Sequence, residues 1–332
     1  MKLCVASPYP LSELKGNTVT TERIVALLRA AGHAARASHL FDGEDADVLI
    51  ALHAVKGAPA VFEFRKKFPR GKVVILITGT DLYESLPAGS EVGERALEMA
   101  DRIVVVQEAA VRRFAESLRE KVRVIPASLD PIMSALPEKR ELSASSESSS
   151  SSSCFAISVL GHPRAVKRPF LTIEAIAKHP EWSDLEVWQI GEALDPESRE
   201  RGREWVARDS RYRWFGGLAR EEALALCAKS ALTVNSSILE GGANAIVEAM
   251  TMGVPILASR IEGNVGLLGE DYAGYFEEGK LDEAIQVARD RRFQLQDWVA
   301  QASARLPLFS PEFETASWLE LLDELNYQET SS

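Results

Sequence analysis

Two glutamates with seven residues between them, Glu240 and Glu248, frame a Gly-Gly turn in the stretch Leu239–Gly253, LEGGANAIVEAMTMG. Carboxylates only accept hydrogen bonds, so such a pair suits neutral, hydroxyl-rich groups such as a ribose and a sugar ring. Gly241 and Gly242 let backbone pass close to a bound group. The helix beginning near Ala243 or Asn244 then turns its unpaired N–H groups toward an anion such as a diphosphate. Taken alone, the pattern equally describes a plain helix start with Glu248 in solvent. A second segment shifts the balance toward a ligand. Gly161-His162-Pro163-Arg164-Ala165-Val166-Lys167-Arg168-Pro169 follows an apolar run, Phe155 to Leu160. Within it Arg164, with a planar fork, and Lys167, a point charge, can converge on one diphosphate. A cationic loop and an anion-seeking helix start on one sheet edge make a coherent site, whereas either alone reads as a solvated turn.

Smaller signals lie in the first half. The loop Lys15-Gly16-Asn17 precedes another helix start and offers the same attraction for an anion. His53 ends an apolar strand, where it either accepts a proton and orients an acceptor or sits as a satisfied buried histidine. Thr78 to Tyr83 leaves a strand into a turn, which places Thr80 and Asp81 at a rim; Asp81 either meets a ligand or caps the next helix. Asp45-Ala46-Asp47 has the spacing of metal-binding carboxylates but opens a strand, and it reads as solvated chain. No His/Cys/Asp cluster elsewhere has metal spacing, and cations with helix starts can neutralise a diphosphate, so no metal cofactor is expected. The basic run Arg65-Lys66-Lys67 reads as a solvated helix end.

The elements that position these residues alternate. Lys2 to Ser7 reads as a buried strand, and Thr18 to Ala31 as a helix with Gly32 at its left-handed cap. Val48 to His53, Val73 to Thr78, Ile103 to Val106 and Val122 to Pro126 follow as short strands. After a break the pattern restarts with Phe155 to Leu160, Leu185 to Ile190, Tyr212 to Phe215, Leu232 to Asn235, Pro255 to Ser259 and Tyr275 to Phe276. Strands alternating with helices predict parallel sheets and an α/β fold. The expected organisation is a domain over 1–136, a serine-rich linker over 137–153, a second domain over 154–310, and a terminal helical stretch over 311–332 that either extends the second domain or crosses back to the first.

Composition narrows the partners. A net charge of -11 argues against a nucleic-acid partner. Three widely spaced cysteines form neither a disulfide framework nor a zinc site, which suits a reducing cytoplasm. The opening MKLCVASPYP is too short an apolar run for a signal-peptide core, and no stretch approaches the roughly 20 apolar residues of a spanning helix.

Together these residues resemble the retaining glycosyltransferases of family four, through the glutamate pair Glu240 and Glu248, the loop Gly161 to Lys167 and the turn Gly253-Val254-Pro255. The resemblance implies the GT-B fold: two facing Rossmann-like domains, an N-terminal acceptor domain and a C-terminal donor domain, with a cleft between them. It also implies a nucleotide-sugar co-substrate bound without metal, with Glu248 on the ribose, Glu240 on the transferred sugar, and Arg164 and Lys167 on the diphosphate. Donor contacts are further expected from Gly16, Asn17, Gly241, Gly242, Ala243 and Asn244. A narrower resemblance, to the selenosugar synthases of selenoneine biosynthesis, is carried by Lys15-Gly16-Asn17, Ala51-Leu52-His53, Thr78 to Tyr83, and Ser259 to Tyr272. It implies transfer of sugar from a UDP-sugar to selenophosphate, with product passed to a selenoneine-forming enzyme. Acceptor contacts are then expected from Lys15, Asn17, His53, Thr80, Asp81 and Asn264. An ordinary family-four enzyme forming an O- or S-glycoside is the alternative. The departures are Pro126-Ala127-Ser128, where the general family often has Pro-Asn-Gly, and the serine linker.

Overall fold

In the computed structural model, residues 1–13, 16–129 and 154–327 are described. They form two compact units, one from 1–129 with 308–327 and one from 154–307. The serine linker and Lys15 lie outside the described residues.

The first unit is built on strands β1 (Lys2–Ser7), β2 (Ala34–His39), β3 (Val48–Leu52), β4 (Lys72–Leu76), β5 (Arg102–Val105) and β6 (Val122–Val124). All are parallel, in the order β2-β1-β3-β4-β5-β6. β3 is buried along its whole length, as expected of a central strand covered on both faces. The edge strand β2, AARASH, is absent from the sequence reading because it has neither β-branched residues nor clean alternation. Helices α1 (Gly16–Ala30), α2 (Ala58–Lys67), α3 (Glu91–Met99) and α4 (Glu116–Arg119) connect the strands. α1 starts two residues before the expected Thr18, and Gly32 takes φ 90° beyond its end. α2 ends in the basic run; there Arg65 is tied to Met99 O and Asp101 rather than simply solvated.

The second unit carries β7 (Phe155–Leu160), β8 (Leu185–Ile190), β9 (Tyr212–Trp214), β10 (Leu232–Asn235), β11 (Ile256–Ser259) and β12 (Tyr275–Phe276). They too are parallel, ordered β12-β11-β10-β7-β8-β9. Helices α5 (Leu171–Ala177), α6 (Pro196–Arg208), α7 (Arg220–Cys227), α8 (Asn244–Thr251), α9 (Glu262–Leu268), α10 (Leu281–Asp290) and α11 (Leu295–Ser303) complete it.

The last helix, α12 (Pro311–Tyr327), packs Trp318, Leu321, Leu322 and Leu325 against Leu3, Val5, Ile24 and Leu28 of the first unit. Buried Glu314 fixes its start, accepting from Ser128 N at 2.7 Å and lying 3.3 Å from Arg23. Glu324 fixes its end between Arg102, at 3.0 Å, and Arg123, at 2.9 Å. Among the described residues no helix is long and apolar enough to cross a membrane.

Candidate nucleotide-sugar site

The carboxyl ends of β7, β8, β9 and β10 deliver their loops to one cavity of about 460 Å³ in the second unit. Such an edge is where open parallel sheets take their ligands. Of the residues singled out from sequence, Arg164, Lys167, Glu240, Gly242, Asn244 and Glu248 line it.

The Gly161–Arg168 loop is anchored from two sides. Gly161 takes φ 129°, and its carbonyl accepts from Gln189 Nε2 at 3.1 Å. Gly191 packs so closely that an added Cβ would lie 2.2 Å from Gly161 O, so no larger residue fits there without moving the loop. On the other side, Ser236 Oγ donates to the carbonyls of Lys167 and Arg168, and Ile238 N donates to Val166 O at 2.9 Å. The loop holding the two cations is thus bolted to the chain that leads into Glu240.

α8 starts at Asn244, and Ala243 before it supplies no side-chain cap. Ile246 N already donates to Ala243 O at 2.9 Å, so the N–H groups that α8 can turn toward an anion are those ahead of it, on Asn244 and Ala245. Glu240 Oε1 accepts from Ser237 Oγ at 2.7 Å and lies 3.4 Å from Lys167 Nζ. Glu248 lies with Oε1 3.0 Å from Arg220 Nη2. Burial pushes the Glu248 carboxyl above its ordinary range, opposed by the nearby Arg220 and Lys167 charges.

Arg220, Gly191 and Gly217 belong to the cavity but were not read from sequence. The signal for Arg220 was the Gly216-Gly217 pair after β9, which marks a strand-to-helix turn at the ligand edge.

The candidates in the first unit separate into different roles. Gly16 and Asn17 open α1. Thr80 is exposed and precedes a single π turn, Asp81–Ser85. His53 is 1% exposed and takes φ 73°, which ends β3 one residue early. Its Nδ1 contacts the Asp81 carboxylate. Asp81 does not reach a rim. It is fully buried, and its Oδ2 accepts from Ala54 N and Thr78 N, both at 3.1 Å. It fixes the His53 loop from within.

Asn264 is buried as well. Its Nδ2 donates to Asn235 Oδ1 at 3.2 Å, Ser259 O at 2.9 Å and Ser259 Oγ at 3.1 Å. An amide engaged in this way knots the ends of β10 and β11 and has no nitrogen-bound hydrogen to spare for an acceptor. The neighbouring Gly263 lies under the Glu240 turn, where an added Cβ would be 2.1 Å from Glu240 O. Tyr272 is also buried and donates to Ile256 O at 2.6 Å. This stretch supports the glutamate turn from behind.

Comparison with known proteins bears on this architecture. Residues 150–297 match the family described as Glycosyl transferases group 1. HepE of Anabaena, solved in complex with UDP and glucose, superposes with a TM-score of 0.74 at 16% identity, covering 98% of this chain and 100% of HepE. The fold is GT-B. Sucrose-phosphate synthase from Thermosynechococcus elongatus gives a TM-score of 0.74 at 14% identity, covering 99% of this chain and all of that one. WaaG, a glycosyltransferase involved in lipopolysaccharide biosynthesis, gives 0.68 at 17% identity, over 94% of this chain and 98% of WaaG. The group 1 match spans the segments of the GT-B chain that line the cavity, from Gly161 to Glu248.

Proposed function

We propose that this chain is a glycosyltransferase that takes its sugar from a UDP-sugar. The observation that carries the reading is the gathering of Arg164, Lys167, Glu240 and Glu248 around one cavity beside the uncapped start of α8. Arg164, Lys167 and the α8 N–H groups would hold the diphosphate and stabilise the negative charge on the departing UDP, without a metal. Glu248 would accept from the ribose and Glu240 from the transferred sugar. HepE, a structural neighbour, was solved with UDP-glucose, which supports a donor of this class.

For the acceptor we propose selenophosphate, on the resemblance carried by Lys15-Gly16-Asn17, Ala51-Leu52-His53, Thr78 to Tyr83 and Ser259 to Tyr272. Selenium attacks the anomeric carbon, the bond from that carbon to the UDP oxygen breaks, and UDP leaves with the electron pair. Water then cleaves the selenium–phosphorus bond and releases phosphate. The nucleophile is already anionic, so it needs positioning more than a strong base. The alternative is a family-four enzyme that forms an O- or S-glycoside on a small molecule. The test is incubation of the pure protein with UDP-N-acetylglucosamine and selenophosphate in EDTA, followed by mass spectrometry. A selenosugar supports the proposal. Release of UDP only with alcohol acceptors would sink the selenium assignment, and no release without added metal would sink metal independence.

A further inference from the structure

Glu240 is held by more than the lysine beside it. Ser237, 2% exposed, donates from Oγ to the same Oε1 that faces Lys167. Ser237 is itself fixed: its carbonyl accepts from Ser259 Oγ at 2.5 Å, and its N–H donates to Asn235 Oδ1 at 3.4 Å. Asn264 binds both Asn235 and Ser259, and Gly263 closes the back of the turn. A continuous chain of hydrogen bonds thus runs from α9 to one oxygen of the Glu240 carboxylate. Among the described residues, the other oxygen has no hydrogen-bond partner.

We propose that Ser237 is a positioning residue for Glu240. Its hydroxyl anchors Oε1, so that Oε2 faces the sugar of the donor in a fixed orientation. It also shares Oε1 with Lys167, which leaves ammonium hydrogens of Lys167 for the diphosphate, since a lysine carries three donors. The stretch that follows β11 acts on the transferred sugar through this relay rather than by touching the acceptor. The inference rests on the nucleotide-sugar reading above.

The test compares the full-length protein with Ser237→Ala, Ser237→Thr and Ser259→Ala, measuring UDP and UDP-N-acetylglucosamine affinity by calorimetry and donor turnover per folded molecule. Loss of one hydrogen bond to a carboxylate predicts a fall in kcat of about tenfold for Ser237→Ala. UDP affinity should stay within about twofold, and the extra affinity that the sugar adds over UDP should shrink. Ser237→Thr, which keeps the hydroxyl, should recover most of the kcat. If Ser237→Ala fails to fold, Ser259→Ala should show the same split more weakly. Wild-type kcat in the alanine variants, or an equal loss of UDP and UDP-sugar affinity, overturns the positioning role while leaving the donor reading intact. Absence of UDP binding by the wild-type protein overturns both.

Discussion

Arg220 Nη2 lies 3.0 Å from Glu248 Oε1 at the wall of the cavity, joining the first residue of α7 to the middle of α8. The pair reduces the cost of burying the Glu248 carboxylate without removing it, because burial still raises the Glu248 pKa. A raised folded-state pKa means that the native protein binds more protons than the unfolded chain between the two values. Stability from this group is therefore present below the unfolded value and falls as pH rises through the folded one. Glu248→Gln should accordingly gain thermal stability relative to wild type as pH rises from about 4. Arg220→Met should lose stability by a margin that widens with pH. Thermal melts at several pH values check both; a pH-independent difference between wild type and Glu248→Gln would refute the argument.

The same carboxylate should be needed for ligand. Under the proposed function, Glu248→Ala removes the acceptor for the ribose and Lys167→Ala removes a cation from the diphosphate. Each should weaken UDP binding by roughly 1.5–3 kcal/mol, about tenfold or more. Calorimetric titration with UDP measures this directly, and unchanged affinity in either variant would remove that residue from the site.

These residues differ in how plainly the sequence announced them. Arg164, Lys167, Glu240 and Glu248 stand out only in combination, because a cationic loop and a glutamate-framed helix start fall on one sheet edge, and all four line one cavity. Arg220 did not stand out. Its meaning depends on β9 lying beside β8 in the sheet, which is a fact of topology. Asn264 and Asp81 show the converse. A polar residue at a strand-to-helix turn looks ligand-facing in one dimension, yet both side chains turn inward to satisfy backbone and polar groups there. The central strands were legible because full burial demands continuous apolar runs, while β2, at the edge, carries no such demand.

Asp81 supports a concrete prediction in the first unit. Asp81→Ala would leave the N–H groups of Ala54 and Thr78 buried without their acceptor and His53 with Lys56 N alone against its Nδ1. Leaving two buried N–H groups without an acceptor costs roughly 1–3 kcal/mol each. The melting temperature of the first unit should fall by roughly 10 °C. Below the melt, UDP affinity should persist, because the cavity residues all belong to the second unit. Differential scanning calorimetry with a parallel UDP titration tests this, and a stable Asp81→Ala variant would show that the buried contact contributes little.

Two glycine substitutions should separate a tightly packed turn from an open one. Gly191 has φ 146°, and an added Cβ would lie 2.2 Å from Gly161 O. Gly191→Ala must therefore displace the Arg164–Lys167 loop, and both stability and UDP affinity should fall together. Gly16 differs: a Cβ there would meet nothing within 4 Å. Gly16→Ala should leave the melting point unchanged or raise stability by about 0.5 kcal/mol, since alanine is the better helix former. Differential scanning calorimetry on both variants makes the comparison, and a lowered melting point for Gly16→Ala would show that the start of α1 is tighter than the open space beside Gly16 implies.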